Sequence, residues 1–434
     1  MRILQITAGA AGMYCGSCTR DNALARELLR RGHDVTLQPV YTPTRPDEPN
    51  VSRSRVLFGG ISVYLQHHAA LFRKTPWLLD RLWDAPSVIR ACAGRAVSTD
   101  ARLLGDLTIS MLQGERGMLR KEFEKLLDWI RSEPLPDVID LPNSLLISMA
   151  APLKRELRRP VCCTLQGEEL FLDGLLPQYR EPAMALIRAQ VPTIDRFVAV
   201  SDYCARFMAA YLEIPPAKMS VVPLGVNLEG YSETQDSQLK TQEGDRPFTI
   251  GYFARLAPEK GLHVLAEAYI RLRRRTTGIP MQFGAAGYLP RDGQPYLDSV
   301  RRTIDAAGLG AEFAYRGEVD RAGKLAFLSG LDVLSVPATY DEPKGMFLLE
   351  AMASGVPVVQ PRRGSFTEMV ERTGGGLLVS PDDPDALADG LYRLATAREL
   401  RATLAERARA NVRACYTVQH SVDRLLEVYR ALVS

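Results

Sequence analysis

The chain has 434 residues, a length that suits two domains of about 200 residues each. Apolar residues make up 46% and charged residues 24%, which excludes a disordered, collagen-like or coiled-coil chain as the main description. Lys plus Arg total 54 against 51 Asp plus Glu, so the net charge of +3 lacks the basic footprint of a dedicated nucleic-acid binder.

Residues 3–7 read as a first strand, broken at once by Gly and Ala, and not as a signal peptide. No apolar run approaches the roughly 18–20 residues of a spanning helix. A cytoplasmic protein is expected. The stretch 21–31 carries Leu24, Leu28 and Leu29 at helical spacing and stops at Gly32, a common C-terminal cap. Further strands are expected at 34–39, 137–140, 161–165, 197–200 and 220–222.

Between residues 42 and 136 the alternation lapses into an Arg-rich, mostly helical insert. Its Trp77 and Trp83 mix with His67, His68, Arg73, Lys74 and Arg81. Two readings stay open: helices packed on the first domain, or an amphipathic face touching a membrane or a lipid-linked acceptor. Residues 121–130 put Phe123, Leu126, Leu127 and Ile130 on one side and read as a structural helix.

Residues 227–246 are polar and without apolar period, as a linker would be. A second series of strands is then expected at 248–253, 281–285, 313–315, 333–336, 356–360 and 376–379. Short strands alternating with helices predict parallel sheets covered on both faces. Such sheets bind ligands at the carboxyl ends of their strands. The expected organisation is a first domain over 1–226, a linker over 227–246, a second domain over 247–415 and a C-terminal helix over 416–434 that crosses back to the first.

The seven cysteines are odd in number and scattered, which argues against a disulfide framework. Cys15-Gly16-Ser17-Cys18 has redox spacing, but two small residues in a tight strand-to-helix loop explain it as well. No His pair or second CxxC completes a zinc site. In 382–385, Asp383 reads as an N-cap and Pro384 as the first helical residue, so no metal is expected there.

The most informative segment is Tyr340-Asp341-Glu342-Pro343-Lys344-Gly345-Met346-Phe347-Leu348-Leu349-Glu350. A strand runs into a loop, and a helix starts near Gly345. Free N–H groups at a helix start favour an anion. A carboxylate beside an anion is costly unless it holds hydroxyls, so a sugar fits Glu342 and Glu350. The segment resembles the E-x7-E signature of the retaining glycosyltransferases of the large fourth family, built on two facing Rossmann-like domains (the GT-B fold). The resemblance implies that Glu342 binds the donor sugar and Glu350 the ribose. It places the diphosphate at the helix start, around Gly345, Met346 and Phe347.

Other segments carry the same resemblance. Arg255 and Lys260, in Gly251–Gly261, stand where the family has an Arg and Lys pair. Charge builds on the leaving diphosphate as the sugar–phosphate bond breaks, and fixed cations stabilise it. Glu318 and Val319 match the region whose backbone meets the nucleobase. Gly16 keeps one glycine of the paired-glycine loop that approaches the donor, with Cys15 in place of the other. The family often has a His-Gly pair where this chain has Gln166-Gly167. Gln166 can hold a sugar hydroxyl but cannot become a cation.

The resemblance implies a nucleotide-sugar donor, an acceptor hydroxyl, retention of configuration and no cofactor. Two rival readings are a nucleotide-sugar 2-epimerase on the same architecture and a nucleotide-sugar-binding protein without transfer.

Overall fold

The computed structural model describes residues 1–9, 16–58, 101–231 and 246–434. Two compact units divide the chain: Met1–Pro223 with Val418–Ser434, and Leu224–Thr417.

In the first unit β1 (Arg2–Thr7), α1 (Gly16–Arg30) and β2 (Asp34–Pro39) follow in order. Two helices of the insert region come next, α2 (Ala101–Leu112) and α3 (Arg120–Ser132). The sheet resumes with β3 (Val138–Leu141), α4 (Ala150–Leu157), β4 (Val161–Leu165), α5 (Glu169–Asp173), α6 (Pro177–Arg188), β5 (Arg196–Ala199), α7 (Asp202–Tyr211) and β6 (Met219–Val221). All pairings are parallel, and the order is β2-β1-β3-β4-β5-β6. The order reverses between β1 and β3, which opens a crevice at their carboxyl ends.

α3 buries Phe123, Leu126, Leu127, Trp129 and Ile130, and Phe123 meets Phe58 edge to face with centroids 5.2 Å apart. This end of the insert therefore packs into the first unit. Residues 59–100, with Trp77 and Trp83, lie outside the described residues, as do Cys15 and most of the linker.

The second unit runs β7 (Phe248–Phe253), α8 (Leu262–Arg275), β8 (Met281–Ala286), α9 (Gln294–Ala306), β9 (Phe313–Tyr315), α10 (Arg321–Ser329), β10 (Val333–Leu334), α11 (Met346–Ala353), β11 (Val358–Pro361), α12 (Gly364–Thr373), β12 (Gly376–Val379), α13 (Pro384–Thr396) and α14 (Arg398–Cys415). Its parallel order is β12-β11-β10-β7-β8-β9, the doubly wound arrangement with its reversal between β7 and β10. Asp383 caps α13, accepting from the N–H groups of Asp385 and Ala386 at 3.0 Å each.

The last helix, α15 (Val418–Val433), belongs to the first unit. Its Val418, Val422, Leu425, Leu426 and Tyr429 join Ile3, Leu24, Leu28, Val138 and Val198 in one buried core. Arg31 donates to the Gln419 carbonyl at 3.0 Å and pairs with Asp423. Among the described residues no helix is long and apolar enough to cross a membrane.

Candidate active site

The reversal between β7 and β10 gathers the predicted residues of the second unit. β7 leads into Arg255 and the turn Pro258–Lys260, and β10 leads into the loop that carries Tyr340 and Glu342. Close backbone contacts lock these segments together. Gly261 has φ +75°, and a Cβ there would lie 1.9 Å from the Pro337 carbonyl oxygen. Gly364 has φ +50°, and a Cβ there would fall 2.5 Å from the Glu342 carbonyl oxygen. Only glycine combines that backbone with that approach. The Ser365 N–H donates to the Glu342 carbonyl at 2.8 Å, so the start of α12 fixes the Glu342 main chain.

Glu342 is only 2% exposed, yet it is charged and partnered. The Lys260 ammonium is ion-paired with its Oε2. The Tyr340 hydroxyl donates to the same oxygen at 2.5 Å and accepts from Lys260 Nζ at 2.6 Å. Burial pushes the Glu342 carboxyl up, but Lys260, Tyr340 and the nearby Lys344 together hold it below the usual carboxylate value. Lys260 also lies 5.0 Å from the Tyr340 ring centroid and 5.8 Å from that of Phe347. The sequence suggested Lys260 and Glu342 as separate groups; the structure joins them through Tyr340, which it had not singled out.

Gly345 adopts φ +77° and caps α11 without a side-chain bond. Met346 and Phe347, in the first turn, are half-buried, and Phe347 packs edge to face on Phe366. Glu350, one turn further on, is 8% exposed and accepts from Lys324 Nζ at 2.6 Å. Lys324 is itself 5% exposed. It stands four residues before the buried Leu328 on α10, a helical spacing that hints at its inward position. Arg255 is 40% exposed in its side chain and pairs with Glu259. Glu318 is exposed and Val319 half-buried, directly before Asp320, which caps α10 by accepting from the Gly323 N–H at 2.8 Å.

Gly16 and Gln166 lie in the first unit. Gly16 opens α1 five residues earlier than the apolar spacing implies, and a Cβ there would meet nothing within 4 Å among the described residues. Gln166, 5% exposed, follows β4. Its amide donates to the Pro142 carbonyl at 3.1 Å and reaches Asp21 of α1 at 3.4 Å. Asp21 accepts from Thr7 at 2.9 Å and pairs with Arg20 at 3.3 Å. Glu168 accepts from the N–H groups of Gln166 at 2.8 Å and Ser144 at 2.9 Å. Gln166 Oε1, Arg20 Nη2 and Ser144 Oγ are buried without a hydrogen-bond partner among the described residues. Such orphaned groups are costly. Arg20, Asp21 and Ser144 carried no local motif to mark them.

Among the described residues no group of three or more His, Cys, Asp or Glu side chains comes together as a metal would need. Of the aspartates at 382–385, Asp382 pairs with Arg363 and Asp385 with Arg271.

Residues 233–411 match the profile of the family described as Glycosyl transferases group 1, and residues 109–229 that of Glycosyltransferase Family 4. Glycosyltransferase models thus match separate stretches of both parts of the chain. The chain is similar to a D-inositol 3-phosphate glycosyltransferase of Corynebacterium urealyticum, at 28% identity over 58% of this chain and 61% of the relative. It is also similar to a GDP-mannose-dependent alpha-(1-6)-phosphatidylinositol monomannoside mannosyltransferase of Mycobacterium tuberculosis, at 28% identity over 50% of this chain and 57% of the relative. The chain thus spans less than two thirds of these curated relatives. A likeness of fold to solved structures extends over the whole chain. Anabaena HepE, crystallised with UDP and glucose, superposes with a TM-score of 0.69 at 19% identity, covering 100% of both chains. Sucrose-phosphate synthase from Thermosynechococcus elongatus does so with a TM-score of 0.72 at 17% identity, covering 100% of this chain and 99% of that one. The two parallel six-stranded sheets are those of the GT-B architecture.

Proposed function

We propose that this protein is a retaining, metal-independent glycosyltransferase that moves a sugar from a nucleoside-diphosphate sugar to an acceptor hydroxyl. The observation that carries the reading is the buried Lys260–Tyr340–Glu342 cluster at the strand reversal of the second unit. In the reaction the bond from the anomeric carbon to the diphosphate oxygen breaks. The diphosphate leaves with the electron pair, the acceptor oxygen bonds to the carbon, and the acceptor's proton passes to the departing diphosphate oxygen.

A lysine ammonium has three donors. Tyr340 and Glu342 take two of those on Lys260, and the third suits a phosphate oxygen. Arg255, the half-exposed cation of the same segment, adds a planar fork. These cations and the α11 amides near Gly345, Met346 and Phe347 would supply the charge stabilisation that a metal supplies in other transferases. Glu342 would hold sugar hydroxyls, Glu350 the ribose and the Glu318–Val319 backbone the base. The solved relatives crystallised with UDP or UDP-glucose and the GDP-mannose-dependent relative both support a nucleotide-sugar donor.

The test is thermal stabilisation by UDP, GDP, ADP and dTDP and their common sugars. A ligand at about 100 times its Kd adds about 2.7 kcal/mol. One nucleotide should raise Tm clearly, and Arg255→Ala should reduce that shift. Transfer with the selected donor should persist in EDTA, and NMR of the product should give the donor's anomeric configuration. No shift with any nucleotide would overturn the reading. Sugar conversion without an acceptor would point to the epimerase instead.

A further inference from the structure

Lys324 lies outside the residues that the proposed chemistry uses. It is 5% exposed on α10, and its ammonium donates to Glu350 Oε1 at 2.6 Å. Both charges are out of water. A buried ion pair seldom yields net stability over an apolar pair of similar volume, because desolvation consumes the attraction. The local packing offers that apolar alternative, since Leu328 one turn along α10 and Leu349 beside Glu350 are both fully buried. Fold stability is therefore a weak reason for placing Lys324 against this carboxylate. A directional reason is stronger: one anchored oxygen fixes the plane of the carboxylate and hence where it can accept further hydrogen bonds.

We infer that Lys324 is a positioning residue that orients Glu350 toward the ribose of a bound nucleotide, making the site discriminate ribose from deoxyribose. The inference rests on the donor reading above, in which Glu350 meets the ribose. Vicinal hydroxyls are recognised by a carboxylate held in one plane, and a swinging one loses the benefit to entropy. α10 begins directly after Glu318 and Val319 and its side chain reaches Glu350, so one short helix links the base-side segment to the ribose carboxylate.

The experiment measures the Kd of UDP, GDP and ADP and of their 2′-deoxy counterparts by calorimetry. The unaltered protein should prefer the ribonucleotide by about tenfold, the worth of one hydrogen bond to a charged group. In Lys324→Met that ratio should fall close to one, while the deoxynucleotide, held by its diphosphate, binds nearly as before. A purely structural lysine would weaken both nucleotides alike. Lys324→Gln covers the case in which the Met variant does not fold, and its ratio should fall at least about threefold. An unchanged ratio, or equal loss of both nucleotides, overturns the inference and leaves the donor reading standing. If the unaltered protein binds none of UDP, GDP, ADP, their deoxy forms and dTDP, the donor reading falls and takes this inference with it; binding of dTDP alone overturns the inference and leaves the donor reading standing.

Discussion

Glu342→Gln keeps the shape of the side chain but removes the charge that faces Lys260. Breaking one partner of a buried pair costs about 3–5 kcal/mol, and the slight exposure of Lys260 at 14% puts this pair toward the lower end. The variant should therefore lose transfer and also melt earlier. The pH dependence tests the pair. The folded Glu342 carboxyl lies below its usual value, so it contributes stability above the unfolded value of about 4.3, lost as pH falls through the folded value. Glu342→Gln should flatten that acid limb. In Lys260→Met burial is no longer opposed by the ammonium, so Glu342 binds its proton at higher pH. Melting temperatures from pH 3 to 8 should show the acid limb weakened in Lys260→Met as well, because the folded Glu342 value then rises toward the unfolded one and the gap that drives the limb closes. If both variants keep the parent's acid limb, the pair does not control this carboxyl.

At the scale of elements, the start of α12 acts as a stop for the loop that carries Glu342. Gly364→Ala would need φ near +50° and would press its methyl into the Glu342 main chain. Such strain costs about 1–3 kcal/mol. The expected result is a Tm several degrees lower and a larger loss of transfer, because the collision lies at Glu342 itself. A variant with parental Tm and parental activity would mean that the loop can yield. Gly364 stood in the sequence without any sign of this duty. What was legible there follows from local physics. The β-branched runs placed each observed strand within two residues at either end, because a buried parallel strand needs an apolar run and little else. Asp383 was legible as a cap because Pro384 follows it. Glu342, Glu350, Arg255 and Lys260 were legible as a motif. Tyr340, Lys324 and the Arg20–Asp21–Gln166 contacts were not, since each needs the register of two elements far apart in sequence. The start of α1 was placed late for a related reason. Gly16 and Ser17 are poor helix formers, and the fully buried Cys18 holds that turn by packing.

The whole molecule is tied together by its last helix, which leaves the second unit at Thr417 and completes the core of the first. At about 2 kcal/mol for each of its five core side chains, α15 contributes on the order of 10 kcal/mol, comparable with the entire net stability of a domain. Its most informative contact is polar. The Tyr429 hydroxyl donates to Asp140 Oδ2 at 2.7 Å, at the carboxyl end of β3, beside Thr164, which donates to the other oxygen at 3.1 Å. Burial holds the Asp140 carboxyl above its usual value, although Tyr429, the charge of Arg20 and Thr164 all pull it down. A raised folded value contributes stability that is full below the unfolded value of about 3.9 and is lost as pH rises through the folded value. Tyr429→Phe removes the largest of the opposing effects and so raises the Asp140 value further. Its cost should thus be smaller near pH 4, where the raised folded value favours the protonated carboxyl. It should grow toward pH 8, where a buried carboxylate has lost a donor worth about 1.5–3 kcal/mol. Denaturant titrations of the two proteins at both pH values would measure that divergence. A cost that is the same at pH 4 and pH 8 would mean that the hydroxyl serves packing alone and that Asp140 does not sense the docking of α15.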